Sequence, residues 1–554
     1  MRSISIVGSG PTAIYTLAAL RGSPEPHSIT VFEASDVAGE GTPYAPRHNN
    51  VAMLSNIASI ELPPVTETLL AWIERQPDAR LAEWGVARED IDERAFFPRV
   101  TLGAFFREQF EALVGELDGL GHSVHLRTGH RITDAELLPD GVRVFGETGG
   151  QAFDQVFDSV VMATGHSWPD RVEPKPGYFT SPWPASALNG IRNCAVGIRG
   201  TSLSGIDTVV TIASNHGSFE HDEAGMLRYR PAPGSEGFSA TLMSRKGLLP
   251  EADFFHPLPY EPLRICTEEA VEALVASRRH GLLDAIFELF AEELAACDPD
   301  YAARIGLSTL DVESFAPAYF AVREGVDPFT WAACNLAEAK ADQEAECTVP
   351  WRYAILRMHE VIALAAPHLS AGDLDRFHKH FKHVFVDDYA TVPHQSIERL
   401  LALHDAGKIE ILKLGSDYHL DTECEEPGAR LTLDGETRHF PAFVEAMGQE
   451  SLTADQLPLP GLLRQGVVRQ ATAPVHDGSE DRKPVKGIAL DEAFRLRFPQ
   501  PLSNEFYCLA LPFLLHQHPF SQGITSSHEM GEIVGAALIE KAQAEAMGPV
   551  PIAA

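Results

Sequence analysis

Residues 4–20 read ISIVGSGPTAIYTLAAL and, after a short polar link, residues 29–44 read ITVFEASDVAGEGTPY. The first apolar run predicts a buried strand, Gly8-Ser9-Gly10 a tight turn, and Ala13 onward a helix. That strand-turn-helix context separates a dinucleotide fingerprint from an ordinary glycine-rich turn. Gly8 permits the sharp turn, Gly10 lets backbone approach a pyrophosphate, and Ala13 stands where a third small residue lets helix and strand pack closely. The free N–H groups at the helix start then face the phosphates. Glu33 closes the second strand about 25 residues on, where a carboxylate accepts hydrogen bonds from an adenosine ribose.

The chain has 554 residues, 44% hydrophobic and 22% charged, enough for two or three domains with separate cores. Its net charge of −34 argues against nucleic acid or an anionic membrane surface as a partner, because both would be repelled. No segment approaches the length of a transmembrane span and no signal-like region precedes the first strand, so a cytoplasmic protein is expected. The seven cysteines are scattered without C-x-x-C spacing, which argues against a disulfide framework, a zinc ribbon or a redox-active pair.

Beyond Tyr44 an irregular stretch runs through HNNVAMLSNIASIELPP. It follows a fingerprint strand, so Tyr44, Asn50 and Asn56 are candidates to lie along a flavin ring, although asparagine is also a common turn residue. FFPRVTLGAFFREQFEALV predicts a helix entered at Pro98, with Arg99 a candidate for a cofactor phosphate or ring edge. A hairpin with Asp140-Gly141 at its turn leads into FDSVVMATGHSWP. There Thr164 and Gly165 end a strand that passes close to the dinucleotide. A second run of this shape, FPAFVEAMGQES, ends near Gly448.

NCAVGIRGTSLSGIDTVVTIA repeats the strand-turn-helix pattern, with Gly200, Ser202 and Gly205 at the fingerprint positions. Ser202 departs from glycine but is small. The next long strand, FSATLMSRKGLLP, ends in Ser244, Arg245 and Lys246 where an acidic residue would select a free 2′-hydroxyl. Cations there favour a 2′-phosphate, hence NADPH. The first site ends in Glu33 and is therefore expected to hold a different nucleotide.

Residues 261–410 show apolar spacing of three and four and predict a helical insertion. Within it, His378, His380 and His383 do not converge on one face of an α-helix, so a solvated face is expected and no metal site. Near the C-terminus a buried strand gives way to Gly523, Ile524 and Thr525 at the start of a helix. Its first N–H groups suit the carbonyl edge of a flavin, where negative charge grows on reduction. The fold class expected is α/β: two interleaved Rossmann-like dinucleotide-binding domains with a helical insertion. Residues 1–190 and 451–554 form the FAD-binding domain, 191–260 and 411–450 the NADPH-binding domain, and 261–410 the insertion.

ISIVGSGPTAIYT, VVMATGH, LMSRKGLLP and FHKHFKHVFVDDYATVPH together resemble bacterial FAD/NAD(P)-binding proteins related to two-dinucleotide flavoprotein monooxygenases. The resemblance spans nearly the whole chain and is specific for cofactors more than for substrate. Some members of that wider group are amino-acid N-oxygenases, including aspartate N-monooxygenases that form nitrosuccinate. The resemblance implies an FAD-dependent, NADPH-consuming monooxygenase that uses O₂, through a flavin C4a-hydroperoxide, on a small-molecule amine or amino acid. Such a substrate's carboxylates would need arginine partners, and Arg264, Arg323, Arg352 and Arg357 of the insertion are the candidates. The alternatives are an NADPH-dependent flavin oxidoreductase without oxygen insertion and a non-catalytic, redox-sensing flavoprotein.

Overall fold

Two parallel five-stranded sheets carry the architecture. The computed structural model describes residues 1–546 apart from 168, 170, 278, 279, 500, 501 and 504, so the end of segment 451–554 lies outside the described residues. The first sheet runs, edge to edge, Phe506–Cys508, Ser159–Met162, Arg2–Val7, His27–Phe32 and Ser123–Arg127, every pair parallel. Ile4 lies opposite Ile29 on one side and Ser159 on the other. The inner strands Arg2–Val7, His27–Phe32 and Ser159–Met162 are short, rich in isoleucine and valine, and largely buried, as expected for a parallel sheet covered on both faces, while the edge strand Ser123–Arg127 is largely exposed.

The second sheet runs Ile409–Lys413, Ser239–Ser244, Ala195–Arg199, Ala442–Glu445 and Tyr178–Phe179, again all parallel. Its edge strand Tyr178–Phe179 falls inside the stretch 1–190 that sequence patterning assigned to the first domain. A two-residue strand shows too little alternation to be seen. In both sheets the fingerprint strand is central, and the chain builds outward from it in opposite directions. This is the topological switch point at which open α/β sheets bind ligands.

The first sheet is covered by helix Pro11–Ala19, which packs on the C-terminal helix Ile524–Ala546. A Cβ on Gly531 would come within 2.7 Å of the Thr16 nitrogen, and one on Gly535 within 2.3 Å of the Ala19 Cβ. The small residues of EMGEIVGAA therefore let two backbones nearly touch. This contact brings the starts of the two helices together, and the Thr12 hydroxyl reaches Ser527 at 3.1 Å.

Helices from Glu268 to Asp405 make up the intervening region. Phe290, Phe315, Phe381 and Phe385 form its centre, with ring centroids 4.8–6.2 Å apart in edge-to-face contacts among them. Helices Pro328–Ala345 and His394–Asp405 instead join the core of the second sheet through Phe329, Leu336, Ile397 and Leu400. The stretch Phe377–Phe381 is a π-helical turn. Its wider hydrogen bonding, i to i+5, changes the angular spacing that an α-helical reading of the histidines assumed.

Candidate functional site

At the first fingerprint, Gly8 has φ +102°, and a Cβ there would sit 2.5 Å from the Ala163 carbonyl oxygen. The turn thus rests on the crossing segment Ala163-Thr164. Gly10 faces the Gly41 Cα, which a Cβ would approach to 3.2 Å, and Ala13 is fully buried beneath the helix. Glu33 accepts from the Ser9 hydroxyl at 2.6 Å and from the Ser35 N–H at 2.8 Å. Ser9 in turn accepts from the Gly39 N–H at 3.0 Å. The carboxylate is thereby oriented at the strand end while keeping lone pairs for ribose hydroxyls.

Around it, Tyr44 packs on Phe106, with centroids 5.8 Å apart. Thr164 is exposed, and Gly165 takes φ +68° while its carbonyl accepts from the Leu511 N–H at 3.1 Å. Gly523 and Thr525 are exposed at the start of the C-terminal helix and Ile524 is buried, so that helix presents its unpaired first N–H groups there. Asn50 splits two jobs: its carbonyl caps the Ala52 N–H at 2.9 Å and its amide reaches Thr211 at 3.3 Å in the second domain. The Asn56 carbonyl oxygen is buried without a hydrogen-bond partner, a group that calls for a donor.

Arg99, the candidate for a cofactor phosphate or ring edge, has a partner within the protein. It begins helix Arg99–Gly119 but is paired with Asp207 at 3.0 Å, both side chains largely buried. Asp207 lies on Leu203–Ser214, the fingerprint helix of the second domain, so this pair ties the two nucleotide-binding units together. The second sheet's neighbour Arg399 reinforces the junction by donating to the Ala52 carbonyl at 2.8 Å. Arg99 also lies close to the crossing segment: burial, and then its charge, push the His166 imidazole down to about 4.

The second fingerprint repeats the first. Gly200 has φ +147°, and a Cβ would lie 2.3 Å from the Ala446 carbonyl oxygen of the second crossing. A Cβ on Gly205 would lie 2.4 Å from the Gly200 oxygen, which makes glycine the residue that fits the third position. Ser202 is exposed as the N-cap of its helix and its own side chain makes no cap bond, so serine is tolerated. At the end of strand Ser239–Ser244, the Ser244 hydroxyl accepts from Thr201 at 3.1 Å and from the Gly247 N–H at 3.2 Å. Arg245 is exposed. Lys246 is held by Glu324 at 2.9 Å and lies over the Phe320 ring, so the two cations do not act as an equivalent pair.

The arginines proposed as a carboxylate clamp are differently employed. Arg323 is buried against Asp387 and donates to the Leu249 carbonyl, and buried Arg352 pairs with Glu251. Trp331 also donates to Glu251, at 2.8 Å. Both guanidinium groups neutralise internal carboxylates, and removing either would strand a buried charge. Arg357 pairs with Glu360 and lies over the Tyr260 ring, whereas Arg264 is exposed. They do not form a free cluster.

A cluster that sequence reading missed gathers where three parts of the chain meet. Glu61 comes from the first domain, Asp253, His256 and Tyr260 from the loop after strand Ser239–Ser244, and Tyr353 and Arg357 from helix Pro350–Ala363. His256 Nε2 lies 3.4 Å from Glu61, and its ring forms a three-way cluster with Tyr260 and Tyr353, all centroids 5.6–6.3 Å apart. Asp253 accepts from Thr391 at 3.2 Å, and burial, then the Glu61 charge, push its carboxyl up to about 7. The density of aromatic and titratable residues in DFFHPLPY was the signal available.

Residues 5–167 match the family described as FAD-NAD(P)-binding, and residues 267–389 match the YdhS-like middle domain. With the two switch-point turns, this defines a protein that binds FAD and a pyridine nucleotide in two Rossmann-type domains. The chain is 41% identical over 542 residues to YdhS of Escherichia coli (strain K12), covering 98% of each. It belongs to the YdhS family. Among solved structures it is similar to the ornithine N-hydroxylase of Kutzneria sp. 744, with TM-score 0.52 and 13% identity over 98% of this chain and 100% of that one. It is also similar to the reduced form of ornithine hydroxylase from Pseudomonas aeruginosa, with TM-score 0.51 and 12% identity over 98% and 99%. At these identities the likeness establishes a shared fold. Among the described residues no helix is long and apolar enough to cross a membrane.

FAD fits the first site: Gly8 and Gly10 leave the phosphate approach free of side chains, and Glu33 is oriented with lone pairs to spare. Gly10→Val is expected to give protein purified without flavin, or unfolded, since a branched side chain would fill the phosphate approach; full flavin content in the variant would refute the assignment. Asp253 allows a second check. A folded value of about 7, above the ordinary 3.8, means its contribution to stability is full below about 4 and is lost as pH rises through 7. Asp253→Asn should therefore gain melting temperature on the parent protein between those pH values, whereas parallel melting profiles would show an unshifted carboxyl.

Proposed function

We propose that the chain is an FAD-dependent, NADPH-consuming monooxygenase that oxygenates the nitrogen of an amine or amino acid. The observation that carries this reading is the pair of matched fingerprint turns, one on each sheet, in two units joined by the Arg99–Asp207 ion pair. One chain thereby holds a flavin site and a pyridine-nucleotide site in fixed relation, as turnover demands and simple sensing does not. Bound FAD, reduced by NADPH, supplies the electrons and the oxygen chemistry. The protein's part is to orient, to exclude water and to manage charge. Similarity to two ornithine hydroxylases supports the nitrogen as the oxygenated atom.

The geometry favours an ammonium-bearing substrate over a dicarboxylate. Arg323, Arg352 and Arg357 are occupied by carboxylates, so aspartate would find few fixed partners for two negative groups. Glu61 and Asp253, by contrast, stand where three parts of the chain converge, and beside them the ring of Tyr353 suits a cation, the face of Tyr260 being taken by Arg357. A carboxyl that titrates near neutrality at Asp253 is also matched to taking a proton from an ammonium, which must be neutral to act as a nucleophile.

The test is NADPH oxidation under isotopically labelled O₂ with a panel of diamines, ornithine, aspartate and neutral amines, with mass spectrometry for label on nitrogen. Labelled product from a cationic amine, and faster NADPH consumption in its presence, are expected. NADPH consumption without labelled product from any of them, while an added electron acceptor is reduced, would replace this reading by an oxidoreductase without oxygen insertion.

A further inference from the structure

Beyond the end of strand Ser239–Ser244 lies a cleft of about 280 Å³, bordered on one side by Arg245 and Lys246 and on the other by Lys379, His380 and His383. In a chain of net charge −34 such a convergence of cationic and imidazole groups is a local reversal of the protein's field. The groups come from different domains, Arg245 and Lys246 following the second sheet's strand, and Lys379 and His380 belonging to the π-helical turn Phe377–Phe381. π-helical turns recur at functional sites because they displace side chains from the positions an α-helix would give them.

The cleft's charges differ in availability. Lys246 is partly neutralised by Glu324, which also binds Lys413 at 2.9 Å through its other oxygen. Glu313, the acidic residue on the cleft wall, has both carboxylate oxygens taken by Arg376, at 2.6 and 3.2 Å. The side chains of Arg245, exposed Lys379 and half-buried His380 make no hydrogen bond or ion pair among the described residues. Half-buried His383 stays neutral, because burial and then the charges of Arg245 and Lys246 push it down to about 4. What remains is an arginine on one wall facing a lysine and an imidazole on the other, a donor set for a compact dianion. The strand end from which Arg245 projects is where a Rossmann domain meets the 2′ position of an adenosine ribose.

We infer that Lys379 and His380, from the helical region, complete with Arg245 a site for the 2′-phosphate of NADPH, so that coenzyme choice is made between two domains and not by the strand end alone. This rests on the NADPH reading of the second fingerprint. The experiment is calorimetric titration of the full-length, FAD-loaded protein with NADP⁺, NAD⁺ and adenosine 2′,5′-bisphosphate, repeated on Lys379→Ala, His380→Ala and Arg245→Ala. Each variant is expected to weaken NADP⁺ and the bisphosphate by about tenfold, as loss of a charge-assisted hydrogen bond does, and to leave NAD⁺ affinity unchanged. If the parent protein prefers NADP⁺ and Arg245→Ala alone lowers that preference, the role of Lys379 and His380 is overturned while the NADPH reading stands. If the parent protein binds NAD⁺ as tightly as NADP⁺, the NADPH reading fails and the inference falls with it.

Discussion

The structure depends on a contact that leaves no room for a side chain. In each sheet the first fingerprint glycine lies directly against the carbonyl of an alanine in a crossing segment, Gly8 against Ala163 and Gly200 against Ala446. The crossings are the places where the chain leaves one nucleotide-binding unit for the next. The same backbone that connects the domains therefore supports each phosphate-binding turn, and each turn needs both positive φ and the absence of a Cβ. Interleaving, which looks like a complication of topology, supplies the base of both sites.

Charge is arranged with comparable economy of position. The interior of the helical region holds Arg323 and Arg352 against Glu251 and Asp387, while burial drives Asp388, whose two oxygens have no hydrogen-bond partner, well above the ordinary carboxyl range and so toward its neutral form. Arg99 and Asp207 perform the analogous service between the two Rossmann units. Breaking one member of such a pair costs more than the pair contributes, because an uncompensated charge is left inside. These arginines hold domains together, and the groups left available for ligands lie elsewhere, at Arg245 and around Asp253.

What could be read from the sequence followed from how local each feature is. Gly8, Gly10, Glu33, Gly200 and Gly205 are set by the backbone of a strand-turn-helix unit some thirty residues long, and the parallel α/β class followed from the same units. The roles of Arg99, Arg323 and Arg352 could not be read, because an arginine's partner is chosen by tertiary packing: Asp207 is more than a hundred residues from Arg99. The histidine stretch failed for a different reason. Its reading as a solvated face assumed α-helical periodicity, which the π turn at Phe377–Phe381 breaks. His378 is instead half-buried, stacked on His516 at 4.6 Å and bonded to its carbonyl, while His380 and His383 turn toward Arg245. The cluster of Glu61, Asp253 and His256 draws on separated segments and shows in sequence only as an unusually aromatic loop.

If one chain holds FAD and NADPH in two sites, electrons must pass from one to the other. This transfer is tested most directly by mixing the flavin-loaded protein anaerobically with NADPH or NADH and following the flavin absorbance. NADPH is expected to bleach the bound flavin, and to do so faster than NADH at equal concentration. Bound flavin that stays oxidised with either nucleotide would contradict it.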